Sequence, residues 1–219
     1  TSRRPWYALR LVQEDGSDGE LYELTEKGVL IGRTEGEIRF PHDATVSPVH
    51  AAIKFTQGKL LVRDLKSCNG TFVRIGEDET LTEQDVFQCG KQFLRFEKMS
   101  WLSEESGSIH TSPKFLSTPK RAWRYKLTQL MAGHEHGQVY CSVNSSTRIG
   151  REGCDLNFPY DRFISGQHCA VEQRGTLFYL KDLESRNGTF LKIRGERTLV
   201  EGDSLFIGRQ LLRVEMASI

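Results

Sequence analysis

Long apolar runs are missing from this chain of 219 residues. None approaches the roughly 18 residues that a membrane-crossing helix needs, and no signal-peptide pattern opens the chain. The first residue is Thr1 rather than Met, the expectation for a piece of a longer protein. Charge of one sign is missing as well. Thirty basic residues face 29 acidic ones, for a net +1. That balance argues against nucleic acid or an anionic membrane as partner, because both demand a basic excess. The five cysteines are odd in number and carry no C-x-x-C spacing. They read as free thiols acting as small apolar side chains in a reducing compartment, with no metal site and no cofactor implied. No segment shows 3.6-residue apolar periodicity. The phosphate-cradling G-x-x-x-x-G-K-S/T loop and the G-x-S-x-G nucleophile elbow are both absent.

What remains is a series of short apolar segments separated by turn signals. Trp6 to Val12 reads as an opening strand and Leu21 to Leu24 as its hairpin partner. Val29 to Ile31 is a short strand that ends on Gly32-Arg33. Ala51, Ile53 and Phe55 alternate with Ala52 and Lys54, the period of a half-buried strand. Leu60 to Val62, Phe72-Val73, Val86-Phe87 and Phe93 to Phe96 follow the same logic. The polar stretch Thr34 to Val46, broken by Pro41 and Asp43, reads as a functional loop. Many short strands with turns between them predict an all-β sandwich.

The strand series occurs twice. Subtraction gives 118 for Arg151 and Arg33, for Ser165 and Ser47, for His168 and His50, and for Asp182 and Asp64. It gives 118 again for Asn187 and Asn69 and for Gly208 and Gly90. A constant offset of this length means two complete domains, since solenoid repeats run about 20–50 residues. At the centre of each copy stands the frame D-L-x-S-x-N-G-T-F, at Asp64 to Phe72 and Asp182 to Phe190.

This frame resembles the forkhead-associated (FHA) domain, a reader of phosphothreonine peptides. The family pattern is Gly-Arg, then Ser-x-x-His, then Asp-x-x-Ser-x-Asn-Gly-Thr. The first copy supplies Gly32-Arg33, Ser47 to His50 and Asp64 to Thr71. The second supplies Gly150-Arg151, Ser165 to His168 and Asp182 to Thr189. The resemblance implies two tandem FHA-like antiparallel β-sandwich domains at 1–99 and 123–219. Between them, residues 100–122 carry eight Ser or Thr residues with Pro113 and Pro119, the composition of an interdomain linker. Trp101, Phe115 and Leu116 are expected to pack back on a domain. The Ser-Pro-x-His form of the first copy is similar to bacterial members.

The chemistry of such a reader can be stated directly. A phosphothreonine carries close to −2 charge and three strong acceptor oxygens. Arg33 and Arg151 are the candidate cations, since a guanidinium can donate two parallel, coplanar hydrogen bonds to a phosphate. Ser47 and Ser165 are the candidate hydroxyl donors. The resemblance implies that Asn69 and Asn187 bond the peptide main chain, and that Cys68 and Arg186 line the phosphate site. Pro48 and Gly166 follow the key serines, where many members carry Arg, Lys or Asn. Pro48 has no backbone N–H, and Gly166 has no side chain. With Cys68 uncharged and Arg186 charged, the second pocket reads as the better equipped. Gly32, Gly70, Gly150 and Gly188 are expected to be turn glycines. His50 and His168 are expected to hold the loops through backbone bonds, Asp64 and Asp182 to act as turn acceptors, and Thr71 and Thr189 to satisfy turn amides.

The function expected is a phosphothreonine-dependent interaction module without catalysis, cytoplasmic, recruiting proteins marked by a Ser/Thr kinase, the kinase itself included. A second reading is a phosphate-independent scaffold, the first copy especially. A third is recognition of a phosphorylated threonine in the 100–122 stretch itself. Ser165, His168 and Asp182 also supply the residue types of a hydrolase triad, but triads are defined by geometry rather than by residue list.

Overall fold

The computed structural model describes residues 6–25, 27–99 and 122–217. These are strands and turns, with one 3₁₀ turn at Ala132–His134. The chain forms two compact units, and the boundary between them does not fall between the repeats. Unit 1 comprises Thr1–Ile75 and Phe190–Ile219; unit 2 is the continuous stretch Gly76–Thr189.

Unit 1 takes seven strands from the first repeat: β1 Trp6–Val12, β2 Asp18–Glu23, β3 Val29–Gly32, β4 Ile38–Arg39, β5 Ala51–Thr56, β6 Lys59–Asp64 and β7 Thr71–Arg74. Unit 2 then supplies β8 Glu79–Leu81, β9 Val86–Cys89, β10 Gln92–Lys98, β11 Tyr125–Leu130, β12 His136–Ser142, β13 Ser146–Gly150, β14 Leu156–Asn157, β15 Cys169–Arg174 and β16 Leu177–Asp182. The chain returns to unit 1 with β17 Thr189–Lys192, β18 Glu196–Leu199, β19 Ser204–Ile207 and β20 Gln210–Ala217.

In unit 1 one sheet runs β17-β7-β19-β20-β1-β2 and the other β18-β6-β5-β3-β4. Leu9, Ile31, Ile53, Val62, Val73, Leu205, Ile207, Leu212 and Val214 form a single buried cluster between them. The alternation along β5 and β6 creates this face, because successive side chains point to opposite sides of a sheet. Unit 2 pairs β9-β10-β11-β12 in one sheet and β14-β13-β15-β16-β8 in the other. Its core centres on three rings: Phe96 lies 5.6 Å from Tyr125 and 5.1 Å from Phe178, and Tyr125 lies 5.4 Å from Phe178. The buried Tyr125 hydroxyl is satisfied by Thr147 and by the Val171 carbonyl. Most pairings are antiparallel; β3 with β4 and β13 with β14 are short parallel exceptions.

The boundaries of the two units do not coincide with the expected division into 1–99, 100–122 and 123–219. The last strands of the first repeat, β8 to β10, complete unit 2, and those of the second, β18 to β20, complete unit 1. β1 pairs with β20 over the whole length of β1, and β10 pairs with β11 from Leu94↔Gln129 to Lys98↔Tyr125. The Ser/Thr/Pro stretch therefore joins two neighbouring strands of one unit. Its residues 100–121, with Trp101, Phe115 and Leu116, lie outside the described ones. The exchange is sterically open because the repeats are colinear. A hairpin from either copy offers the same backbone bonds to either sheet.

Candidate functional site

In unit 1 the motif residues gather at one end of the sandwich. The Arg33 N–H donates to the Ser47 carbonyl at 2.8 Å and the Glu35 N–H to the Pro48 carbonyl at 3.1 Å, which ties the Gly-Arg loop to the Ser-Pro loop. His50 is fully buried and clamps both ends of the site. Its Nδ1 accepts from the Ser47 N–H at 3.1 Å, and its Nε2 meets the Gly70 carbonyl at 3.1 Å, so Nε2 carries the proton. Burial pushes the His50 pKa down. The imidazole is then neutral, and its 3.9 Å approach to Asp64 is not an ion pair. Asp64 instead receives the Ser67 N–H, the Ser67 hydroxyl and the Thr71 hydroxyl at 2.7–2.9 Å. Ser67 in turn accepts from the Gly70 N–H.

This scaffold presents three groups outward. The Ser47 hydroxyl accepts the Cys68 N–H at 3.0 Å, which leaves its own proton to donate. Asn69 is exposed, and its Nδ2 donates to the Thr45 carbonyl at 2.7 Å. Arg33 is half-buried, and among the described residues its guanidinium has no hydrogen-bond or ion-pair partner. A half-buried arginine with no side-chain partner among the described residues, on a loop tied through its backbone to the serine's loop, is a candidate site for an anion.

Unit 2 repeats the construction. Arg151 N–H donates to the Ser165 and Gly166 carbonyls at 2.9 and 3.1 Å. His168, also fully buried and with its pKa lowered by burial, accepts from the Ser165 N–H at 3.0 Å and meets the Gly188 carbonyl at 3.0 Å. Asp182 collects Ser185 and Thr189. The Ser165 hydroxyl accepts the Arg186 N–H at 3.1 Å, and Asn187 Nδ2 donates to the Phe163 carbonyl at 2.7 Å. The exposed Arg186 side chain and the half-buried Arg151 likewise find no partner among the described residues.

Several expected roles change. Gly32 and Gly150 lie in strands rather than turns, and close approach is what requires them. A Cβ on Gly32 would stand 2.2 Å from the Pro48 carbonyl, and one on Gly150 would stand 2.1 Å from the Gly166 carbonyl. Gly70 and Gly188 do sit in turns, at φ 85° and 82°. The other left-handed residues there are Lys66 and Glu184, at φ 59° and 56°. Thr71 and Thr189 serve the aspartates instead of turn amides. Ser165, His168 and Asp182 do not assemble a triad. His168 spends both ring nitrogens on backbone groups, and Asp182 holds Ser185 and Thr189.

A further role was not read from the sequence, although the two residues that carry it recur at the same offset. Asp43 receives the Thr45 N–H and hydroxyl on one oxygen, and the Arg209 N–H and Gln210 Nε2 on the other, at 2.9 and 2.7 Å. Burial works against its charge, but these hydrogen bonds outweigh burial and hold its pKa below the ordinary value. Asp161 likewise receives the Phe163 N–H, the Lys91 N–H and Gln92 Nε2. In unit 2 this edge is cationic and aromatic: Lys91 Nζ lies 4.3 Å from the centre of the Phe163 ring and the Arg162 guanidinium 5.1 Å. Unit 1 has Ala44 and Thr45 at the corresponding places.

The FHA domain model matches residues 29–90 and 147–208. The matches cover more than half of the chain, and the chain belongs to the FHA domain family. Among solved structures it is similar to the FHA domain of CT664 from Chlamydia trachomatis, with 22% identity over 42% of this chain and 98% of that one, at a TM-score of 0.26. It is similar to the FhaA FHA domain complexed with the intracellular domain of Rv3910, with 26% identity over 41% of this chain and 99% of that one, at a TM-score of 0.24. Mycobacterium tuberculosis EmbR, in complex with a low affinity phosphopeptide, matches at 24% identity over 41% of this chain and at a TM-score of 0.23; the match spans only 27% of the EmbR chain. No curated protein matches.

Proposed function

We propose that the chain is a phosphothreonine-dependent protein-interaction module with one reading site in each unit and no catalysis of its own. Its partners are cytoplasmic proteins marked by a Ser/Thr kinase, or the kinase itself. The observation that carries this reading is that three residues sit on loops tied to one another: an arginine whose guanidinium has no partner among the described residues, a serine whose hydroxyl keeps its proton to donate, and an asparagine amide. In unit 1 these are Arg33, Ser47 and Asn69; in unit 2 they are Arg151, Ser165 and Asn187. The guanidinium and hydroxyl address the phosphate, and the asparagine addresses the peptide main chain. Arg186 adds a second cation in unit 2.

Unit 1 supports a second reading as a phosphate-independent contact surface. Cys68 has no charge, and Pro48 has no N–H to give. Calorimetric titration of the intact chain with matched phosphothreonine, phosphoserine and unmodified peptides decides between the two. Phosphothreonine binding abolished only by Arg151→Ala assigns the reading to unit 2 and leaves unit 1 as the scaffold. No binding of any phosphopeptide overturns the proposal.

A further inference from the structure

In each unit the asparagine that would read the peptide main chain is anchored, through a relay, to a hairpin from the other repeat. In unit 1 the relay runs from Gln210 and Arg209 to Asp43, from Asp43 to Thr45, and from the Thr45 carbonyl to Asn69. In unit 2 it runs from Gln92 and Lys91 to Asp161, then to Phe163, then to Asn187. The hairpin glycines press on the same loops. A Cβ on Gly208 would meet Thr45 Oγ1 at 2.7 Å and Asp43 at 3.0 Å, and one on Gly90 would meet Asp161 at 2.8 Å.

The hydrogen bonds alone would be satisfied equally well if each hairpin stayed with its own repeat, because Gln92 and Gln210 are equivalent. Packing is not indifferent. In unit 2 the Cys169 thiol lies against Cys89, both fully buried. The equivalent positions of unit 1 hold Ala51 and Ile207. Exchange therefore matches two middle-sized side chains in one unit and a small with a large one in the other. Without it, Cys89 would face Ala51 across a void and Ile207 would crowd Cys169, and both errors destabilise a core. The aromatics agree. Tyr7 packs on Phe55 in unit 1, where position 214 is Val; Tyr125 packs on Phe96 in unit 2, where position 173 is Gln. Returning the hairpins would give one copy both phenylalanines and the other neither.

We infer that Gln210 and Arg209 of the second repeat are positioning residues for the Arg33 site, and Gln92 and Lys91 of the first repeat for the Arg151 site, so that each reader is completed by the other repeat. This rests on the phosphopeptide reading above, and the test separates the two.

The first arm needs no ligand. Urea unfolding of the full chain is measured for Asp43→Asn, Asp161→Asn, Gln210→Ala and the two pairwise combinations. Gln210→Ala and Asp43→Asn should be non-additive, whereas Gln210→Ala and Asp161→Asn should add, since only contacting residues couple. Coupling to Asp161 instead, or to neither, overturns the inference. In the second arm, Gln210→Ala is placed in an Arg151→Ala background, where only the Arg33 site remains, and in an Arg33→Ala background. Phosphopeptide affinity should fall roughly three- to ten-fold in the first background and stay unchanged in the second. An equal effect in both marks a general structural role and overturns the positioning claim. Should no phosphopeptide bind at all, the proposed function fails while the unfolding arm still decides the exchange.

Discussion

Replacing Arg151 with alanine removes from the unit 2 site a cation that is half-buried and, among the described residues, without a partner. The structure sets the expected size. The Arg151 backbone N–H, which holds the loop to Ser165 and Gly166, survives the substitution, and the lost guanidinium makes no internal bond among the described residues. Folding stability should therefore stay within about 0.5 kcal/mol of the parent, as for surface changes away from caps and networks. Binding should not. Truncating one partner of a desolvated, hydrogen-bonded charge pair costs about 2–5 kcal/mol. A half-buried arginine facing a partly solvated phosphate belongs at the lower end, at about 2–3 kcal/mol. Since about 1.4 kcal/mol is tenfold, the Kd should rise about 30- to 150-fold. Fluorescence anisotropy of a labelled phosphothreonine peptide measures it, in an Arg33→Ala background so that only unit 2 reports. Arg151→Lys should recover part of the loss, because it returns the charge without the planar fork. An unchanged Kd with an unchanged melting temperature would refute the reasoning, since the phosphate would then be held by something else.

Asn187→Ala should weaken phosphorylated peptide about fivefold, the worth of roughly 1 kcal/mol in one hydrogen bond, while the ratio of phosphorylated to plain affinity holds; a collapse of that ratio would reassign Asn187 to the phosphate. Gly150→Ala forces a Cβ to within 2.1 Å of the Gly166 carbonyl and should lower both the melting temperature and Arg151-site affinity, whereas Gly166→Ala meets nothing within 4 Å and should be tolerated; equal effects would mean the loop is not held where it is described. The lowered pKa of His50 and His168 sets a pH dependence: neutral imidazole in the fold and protonated imidazole in the unfolded chain mean that stability is full above the unfolded value of 6.5 and is lost as pH falls through the lower folded value. Urea midpoints between pH 7.5 and 5 should show that loss, and His50→Gln with His168→Gln should flatten it; a midpoint that rises on acidification contradicts the assignment.

The strand series and the site frame were legible because both depend on local patterns. Ala51 to Phe55 alternates, and D-L-x-S-x-N-G-T-F fixes a turn whose aspartate, serine and threonine bond one another within eight residues. Strands β4, β8, β14 and β18 escaped notice because they are two to four residues long and largely polar. The use of Gly32 and Gly150 for close approach depends on the carbonyl of residues 48 and 166 arriving from elsewhere, which no local pattern announces. Asp43 and Gln210 were hidden for the same reason: 167 residues separate the two partners. The exchange was hardest to read. A constant offset of 118 makes each hairpin equally complementary to either sheet, so the periodicity that revealed two domains carried no information about which hairpin completes which. Only residues that differ between the copies distinguish them, chiefly Cys89 against Ile207, Cys169 against Ala51, and Phe55 against Gln173.

The exchange also changes what sets cooperation between the two sites. If the 100–122 stretch were a tether between separate domains, a ligand phosphorylated twice would find its second site at an effective concentration fixed by that tether, in the mM range for short flexible ones. Here residues 99–124 join β10 to the adjacent β11 inside unit 2, and the chain passes between units at 75–76 and again at 189–190. The length of the Ser/Thr-rich stretch should then have no bearing on how two sites share one ligand. Removing about ten residues from it should leave the Kd of a doubly phosphorylated peptide unchanged, together with its ratio to the singly phosphorylated Kd. A tether between independent domains predicts otherwise, because effective concentration follows linker length to roughly the −3/2 power once the span is met and collapses when it is not. A shortened chain that folds but loses or gains avidity would show that the stretch connects the readers, and the division at Ile75 and Phe190 would have to be abandoned.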